Sequence, residues 1–115
     1  LDLRAYAERP VGDLPFGIQK RVEFARALAA EPKLLLLDEP AAGLREFEKR
    51  MLVELLNQLR AEGMTMLLVE HDMSFVMGLV DSIVVLDFGT KIAEGTPAAI
   101  KTDPAVLAAY LGAEP

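Results

Sequence analysis

Two short polar clusters follow apolar runs in this chain: Asp38-Glu39 after Leu34-Leu35-Leu36-Leu37, and Glu70-His71-Asp72 after the run that ends at Val69. Adjacent carboxylates on a strand point to opposite sides, so Asp38 and Glu39 cannot share one task. Such a pair can divide the work of hydrolysis, one carboxylate supporting a hydrated cation while the other faces an attacking water. The plainer alternative is two solvated charges at a strand end. His71 is the only histidine, which excludes a multi-histidine zinc site. Taken by itself, a lone histidine after a strand is more often a structural hydrogen-bonder than a catalytic group. Ligands in open α/β sheets bind beyond the carboxyl ends of strands, where both clusters could reach a single phosphate.

The elements that must position these residues follow from periodicity and turn chemistry. Residues 1–14 carry Pro10 and Gly12 and read as a connection with one helical turn near Tyr6. Ile18, Val22, Ala25 and Ala29 recur at helical spacing, which predicts a helix over 18–30 that Pro32 ends. Residues 34–37 predict a strand buried on both faces of a parallel sheet, closed by Pro40. Phe47, Met51, Leu52, Leu55, Leu56 and Leu59 form the stripe of an amphipathic helix over 46–61, with Gly63 at its end. A strand over 64–69, a short helix over 73–78 and a strand over 82–86 follow. Asp87-Phe88-Gly89-Thr90 is a turn leading into a weaker strand over 91–94, so this pair predicts a hairpin. Thr96-Pro97 and Asp103-Pro104 are helix N-caps followed by Pro at the first helical position, and Gly112 should stop the last helix. The order predicts an α/β fold with a mainly parallel sheet and flanking helices, ending in a hairpin and short helices.

Composition narrows the possible functions. The 115 residues have 52% hydrophobic and 26% charged side chains, a globular balance with room for a packed core. There is no Cys, which excludes a disulfide framework, a thiolate metal site and a cysteine nucleophile. A net charge of -6 argues against sequence-independent nucleic-acid binding. The longest apolar runs fall far short of the roughly 18 residues that a membrane span requires. Asp87-Phe88-Gly89 spells the metal-binding triplet of protein kinases, but no H-R-D loop precedes it and its context is a hairpin turn.

Leu14 to Leu28, Leu34 to Leu44 and Leu67 to Asp72 together resemble the ATP-binding subunits of ABC transporters, in the order signature loop, Walker B with its Glu, D-loop and switch His. Within that superfamily the likeness is to branched-chain amino acid importers. It rests on the stretch from Leu14 to Glu23, on Asp38-Glu39-Pro40-Ala41-Ala42-Gly43-Leu44, on Glu70-His71-Asp72-Met73, and on the ending from Asp103-Pro104 through Tyr110-Leu111-Gly112. The resemblance implies the P-loop NTPase fold, ATP and Mg²⁺ as cofactors, and hydrolysis of ATP. By it Asp38 would act on Mg²⁺ through water, Glu39 would polarise the attacking water and His71 would sense the γ-phosphate. Leu14, Pro15, Phe16, Gly17, Ile18 and Gln19 would close on ATP held by a partner subunit, and Ala42, Gly43, Leu44 and Arg45 would form the D-loop at the dimer interface.

The likeness has departures. Pro15 stands in place of the signature Ser, Phe16 in place of its first Gly, Ile18 in place of Gln, and Arg45 in place of the D-loop Asp. No G-x-x-x-x-G-K-[ST] occurs, so residues 1–115 are expected to be the C-terminal part of one nucleotide-binding domain, from the signature loop onward and without Walker A or Q-loop. The chain alone is then expected to be inactive and to leave apolar surface uncovered along 34–37. Expected partners are a second ATP-binding subunit, identical or not, transmembrane permease subunits and, indirectly, a periplasmic binding protein, with no nucleic acid. The expected location is the cytoplasmic face of the inner membrane, peripherally. Two other readings are an ABC ATPase for another cargo, such as urea or lipopolysaccharide export, and an interaction domain that lacks a P-loop.

Overall fold

The computed structural model describes residues 3–111. The chain packs as two units that divide between Phe75 and Val76. In the first, 3-10 turns at Arg4–Tyr6 and Val11–Asp13 lead into helix α1 (Phe16–Ala29), strand β1 (Leu34–Asp38), helix α2 (Glu46–Ala61) and strand β2 (Thr65–Val69). Helix α3 (Met73–Met77) carries the division.

α1 starts two residues before the expected Ile18, with Pro15 as its N-cap residue and the Pro15 carbonyl accepting from both Ile18 N and Gln19 N at 3.0 Å. Apolar periodicity misses this first turn because nothing obliges an exposed first turn to be amphipathic. The buried side chain of α1 is Phe24, which lies outside the predicted Ile18-Val22-Ala25-Ala29 stripe. Past the helix end, Glu31 takes φ +51°, the left-handed conformation usual after a helix, before Pro32 stops it. α2 spans the predicted residues and buries Leu52 and Leu56.

β1 and β2 pair in parallel, from Leu34 opposite Thr65 to Asp38 opposite Val69. Side chains alternate across this sheet. Leu35 and Leu37 face inward, with Leu35 only 4% exposed, whereas Leu36 is 66% and its partner Leu67 58% exposed. The expectation of a strand buried on both faces therefore does not hold among the described residues; the expectation of uncovered apolar surface along 34–37 does. Four consecutive leucines make both faces apolar, but burial of the second face takes a second layer.

In the second unit β3 (Ile83–Asp87) and β4 (Thr90–Gly95) form an antiparallel hairpin, a sheet separate from β1–β2. Phe88 (φ +50°) and Gly89 (φ +77°) both sit at positive φ, the geometry of a type I′ hairpin turn. α4 (Pro97–Lys101) and α5 (Pro104–Val106) start at the predicted caps: the Thr96 hydroxyl accepts from Ala99 N, and the Asp103 carboxylate from Ala105 N and Val106 N. Ile100 and Val106 are fully buried. A π-helical turn, Leu107–Leu111, ends the described chain, with the Tyr110 hydroxyl donating to the Leu86 carbonyl. The stop expected at Gly112 lies outside the described residues.

Candidate functional site

At the end of β1 the chain departs abruptly from strand geometry. Glu39 N still donates to the Val69 carbonyl at 2.8 Å, but Glu39 itself has φ +46°. A bulky residue held in that region costs about 1–2 kcal/mol, so the surrounding structure must enforce it. The buried Pro40 and the turns closed by Ala42 N on Glu39 O and Leu44 N on Ala41 O supply that constraint. Alternation leaves Asp38 on the open face with Leu36, while Glu39 Oε1 lies 2.9 Å from His71 Nε2. The two adjacent carboxylates thus have different surroundings, Asp38 at the end of β1 and Glu39 beside His71.

The second cluster is held from both ends. Glu70 Oε2 accepts from Ala41 N at 2.9 Å, tying the end of β2 to the turn after Glu39. Asp72 Oδ1 accepts from Ser74 Oγ and Phe75 N, capping the start of α3, and Asp72 Oδ2 accepts from Lys49 Nζ of α2 at 2.9 Å. The hydrogen bond from Lys49 holds the Asp72 carboxyl below the usual carboxylate range against a smaller opposing effect of burial, and the same bond raises Lys49.

Residues 14–19 build a third cluster, against the segment after Pro40. Gly43 has φ +77°, and a Cβ there would stand 3.1 Å from the Phe16 ring, so the aromatic lies directly on the glycine. A Cβ on Gly17 would overlap the Glu48 carboxylate. Gln19 Nε2 donates back to the Leu14 carbonyl at 2.9 Å, and Lys20 stands over the Phe16 ring at 5.6 Å. Arg45 is the N-cap residue of α2 and has no acceptor to offer the helix N–H groups. Glu48 supplies the other half of a capping box, accepting from Arg45 N at 3.0 Å, and that bond foremost lowers its pKa. An open groove of about 820 Å³ between α1 and α2 begins at these residues and runs on past Phe24, Leu28, Leu55 and Leu59.

Among the described residues no three or more His, Asp or Glu side chains converge as a metal cage. A single exposed carboxylate at a strand end, such as Asp38, would suit only a cation that keeps most of its water or phosphate ligands. Residues 1–42 match the family described as ABC transporter, and residues 90–115 match the branched-chain amino acid ATP-binding cassette transporter family. The chain is 46% identical over 113 residues to the high-affinity branched-chain amino acid transport ATP-binding protein LivG of Escherichia coli, covering 97% of this chain and 44% of that protein. BraF of Pseudomonas aeruginosa, likewise a high-affinity branched-chain amino acid transport ATP-binding protein, matches to the same extent. Over 97% of its length, the chain is similar to ATP-binding proteins of ABC transporters.

Solved structures of this family agree. An ATP-binding cassette of an ABC transporter in its ADP conformation superposes with a TM-score of 0.81 at 34% identity, over 90% of this chain and 42% of that one. A metal-chelate type ABC transporter in an inward-facing conformation gives 0.86 at 27%, over 96% and 44%. The chain therefore spans less than half the length of the curated relatives it matches. In this chain the fold brings together Glu39 with His71, Phe16 with Gly43, and Gly17 with Glu48. Glu48 and Lys49 are absent from the sequence-based candidates. Glu48 was findable, as a Glu three residues after an N-cap position; Lys49 carries no sequence signal, because its partner lies 23 residues away.

Proposed function

We propose that this chain is the part of an ABC nucleotide-binding domain from the signature loop onward, and that the full protein is the energy-coupling ATPase subunit of a branched-chain amino acid importer. The observation that carries the reading is the 2.9 Å approach of His71 Nε2 to Glu39 Oε1 at neighbouring strand ends, with Asp38 one residue away. Hydrolysis of ATP is phosphoryl transfer to water, in which positioning and electrostatics supply most of the catalysis. Glu39 orients and polarises the attacking water; His71 holds the Glu39 carboxylate in place and presents its imidazole to the γ-phosphate side. Asp38 would hold Mg²⁺ through water, and the ion would supply neutralisation of charge on the phosphates.

The signature residues from Leu14 to Gln19 face the nucleotide of a second ATP-binding subunit, and Ala42 to Arg45 line the interface between the two. Closure of that pair moves transmembrane permease subunits, which receive the amino acid from a periplasmic binding protein. The subunit sits peripherally on the cytoplasmic face of the membrane; among the described residues no helix is long and apolar enough to cross it.

Three experiments test the proposal. In the full-length protein Glu39→Gln should retain ATP binding and lose turnover, and His71→Ala should also depress hydrolysis; an unchanged rate in the Glu39 variant removes that residue from the water-activating role. Uptake of leucine into vesicles carrying the complete transporter should require ATP and stop with Glu39→Gln. The domain assignment is checked by the reading frame upstream of Leu1, which should encode a Walker A motif.

A further inference from the structure

Residues 69–72 are tied one after another, the first three to the segment that carries Glu39 and the last to α2. The Val69 carbonyl accepts from Glu39 N at 2.8 Å, Glu70 Oε2 accepts from Ala41 N at 2.9 Å, His71 Nε2 meets Glu39 Oε1 at 2.9 Å, and Asp72 Oδ2 accepts from Lys49 Nζ at 2.9 Å. The first two ties lie on the N-terminal side of His71. The tie on its C-terminal side depends on one side chain of α2, Lys49.

The Glu39–His71 contact is exposed, with side chains 49% and 74% accessible, and a pair so wetted is worth little by itself. Its geometry must come from the frame around it. Lys49 and Asp72 are shielded to 25% and 23%, and the same Asp72 carboxylate caps the first turn of α3 through Ser74 Oγ and Phe75 N. Glu46 stands 3.9 Å from the same ammonium and adds a second acid to it. An Asp72 released from Lys49 would keep its cap on α3 but lose its direct tie to α2.

We propose that Lys49 is a positioning residue for hydrolysis: through Asp72 it anchors the C-terminal side of His71 and so keeps the imidazole on Glu39. This rests on the reading of Glu39 and His71 as the hydrolytic pair. The salt bridge stays charged through the neutral range, since Asp72 is shifted down and Lys49 up. Lys49 is the residue to test, because changing Asp72 would also strip the cap from α3.

The test uses the full-length ATPase with Lys49→Met, which keeps the apolar stem, and Lys49→Arg, which keeps the charge. Lys49→Met should lower kcat roughly tenfold or more, the scale of a small misplacement of a catalytic group. KM for ATP should stay unchanged, and Lys49→Arg should restore the rate. The NMR signal of the His71 ring, assigned by difference with His71→Gln, should shift in Lys49→Met and return in Lys49→Arg. A wild-type kcat and an unmoved His71 signal in Lys49→Met overturn the proposal, as does a loss confined to KM or one that Lys49→Arg fails to rescue. The two readings separate cleanly: if Glu39→Gln hydrolyses like wild type while the His71 signal still follows Lys49, the positioning stands and the hydrolytic reading falls.

Discussion

Glu39 combines a strained backbone with the water-activating role proposed for it. Its φ of +46° is a conformation that glycine adopts freely and glutamate does not. Glu39→Gly should therefore stabilise the full-length protein by about 1 kcal/mol while abolishing turnover. Urea denaturation alongside an ATPase assay checks this, and a destabilised variant would mean that the His71 contact outweighs the strain. The Lys49–Asp72 pair makes a pH prediction. Asp72 has a lowered pKa in the folded state, so its contribution is present above the unfolded carboxylate value and fades as pH falls through the folded one. Lys49 is raised, so its contribution is full below the unfolded amine value and fades only as pH rises through the folded one. The stability gap between wild type and Lys49→Met should be level from about pH 5 to pH 9 and close in acid, as measured by thermal unfolding across that range.

Among the elements, the ends are where the sequence leaves most room for improvement. Glu31 occupies the left-handed position after α1, where glycine is preferred, and Glu31→Gly should raise stability by about 1 kcal/mol. The caps of the second unit act in the opposite direction. Asp103 accepts from both Ala105 N and Val106 N, and Asp103→Ala should cost about 1 kcal/mol, read from denaturant midpoints. These caps were legible because cap chemistry is local: Thr96-Pro97 and Asp103-Pro104 state their role within a few residues. The start of α1 was not legible, since Pro15 and Phe16 show no periodicity and their position depends on the Phe16 ring resting on Gly43, 27 positions later.

For the molecule as a whole, the open face of β1–β2 is the dominant physical fact. Leu34, Leu36, Leu67 and Val69 form a contiguous exposed apolar surface, of the kind that monomeric soluble proteins avoid. The 115-residue chain by itself should bind a hydrophobic dye and associate with rising concentration, and Leu36→Thr with Leu67→Thr should reduce both; sedimentation velocity decides. With no G-x-x-x-x-G-K in its sequence, the same chain should show no ATP binding in the micromolar range by calorimetry. The strand-helix-strand order and the parallel pairing of β1 with β2 were legible from spacing. That β3 pairs with β4 in a sheet of its own was half legible: the turn at 87–90 announced the hairpin, but no local signal says what a hairpin lies beside.

The sequence by itself determined the chemical inventory: Asp38, Glu39 and His71 at strand ends, the signature and D-loop stretches, and the caps, all set by residue type over a few positions. Only the tertiary structure decided who meets whom. His71 reaches Glu39, Glu70 holds Ala41 and Lys49 holds Asp72 because two strands register in parallel and α2 returns alongside, and those contacts span 23 to 32 residues. Local steric and hydrogen-bonding preferences act within a turn or two and can be read along the chain. The partner of a side chain across such a distance depends on packing of the whole unit, which no short stretch encodes.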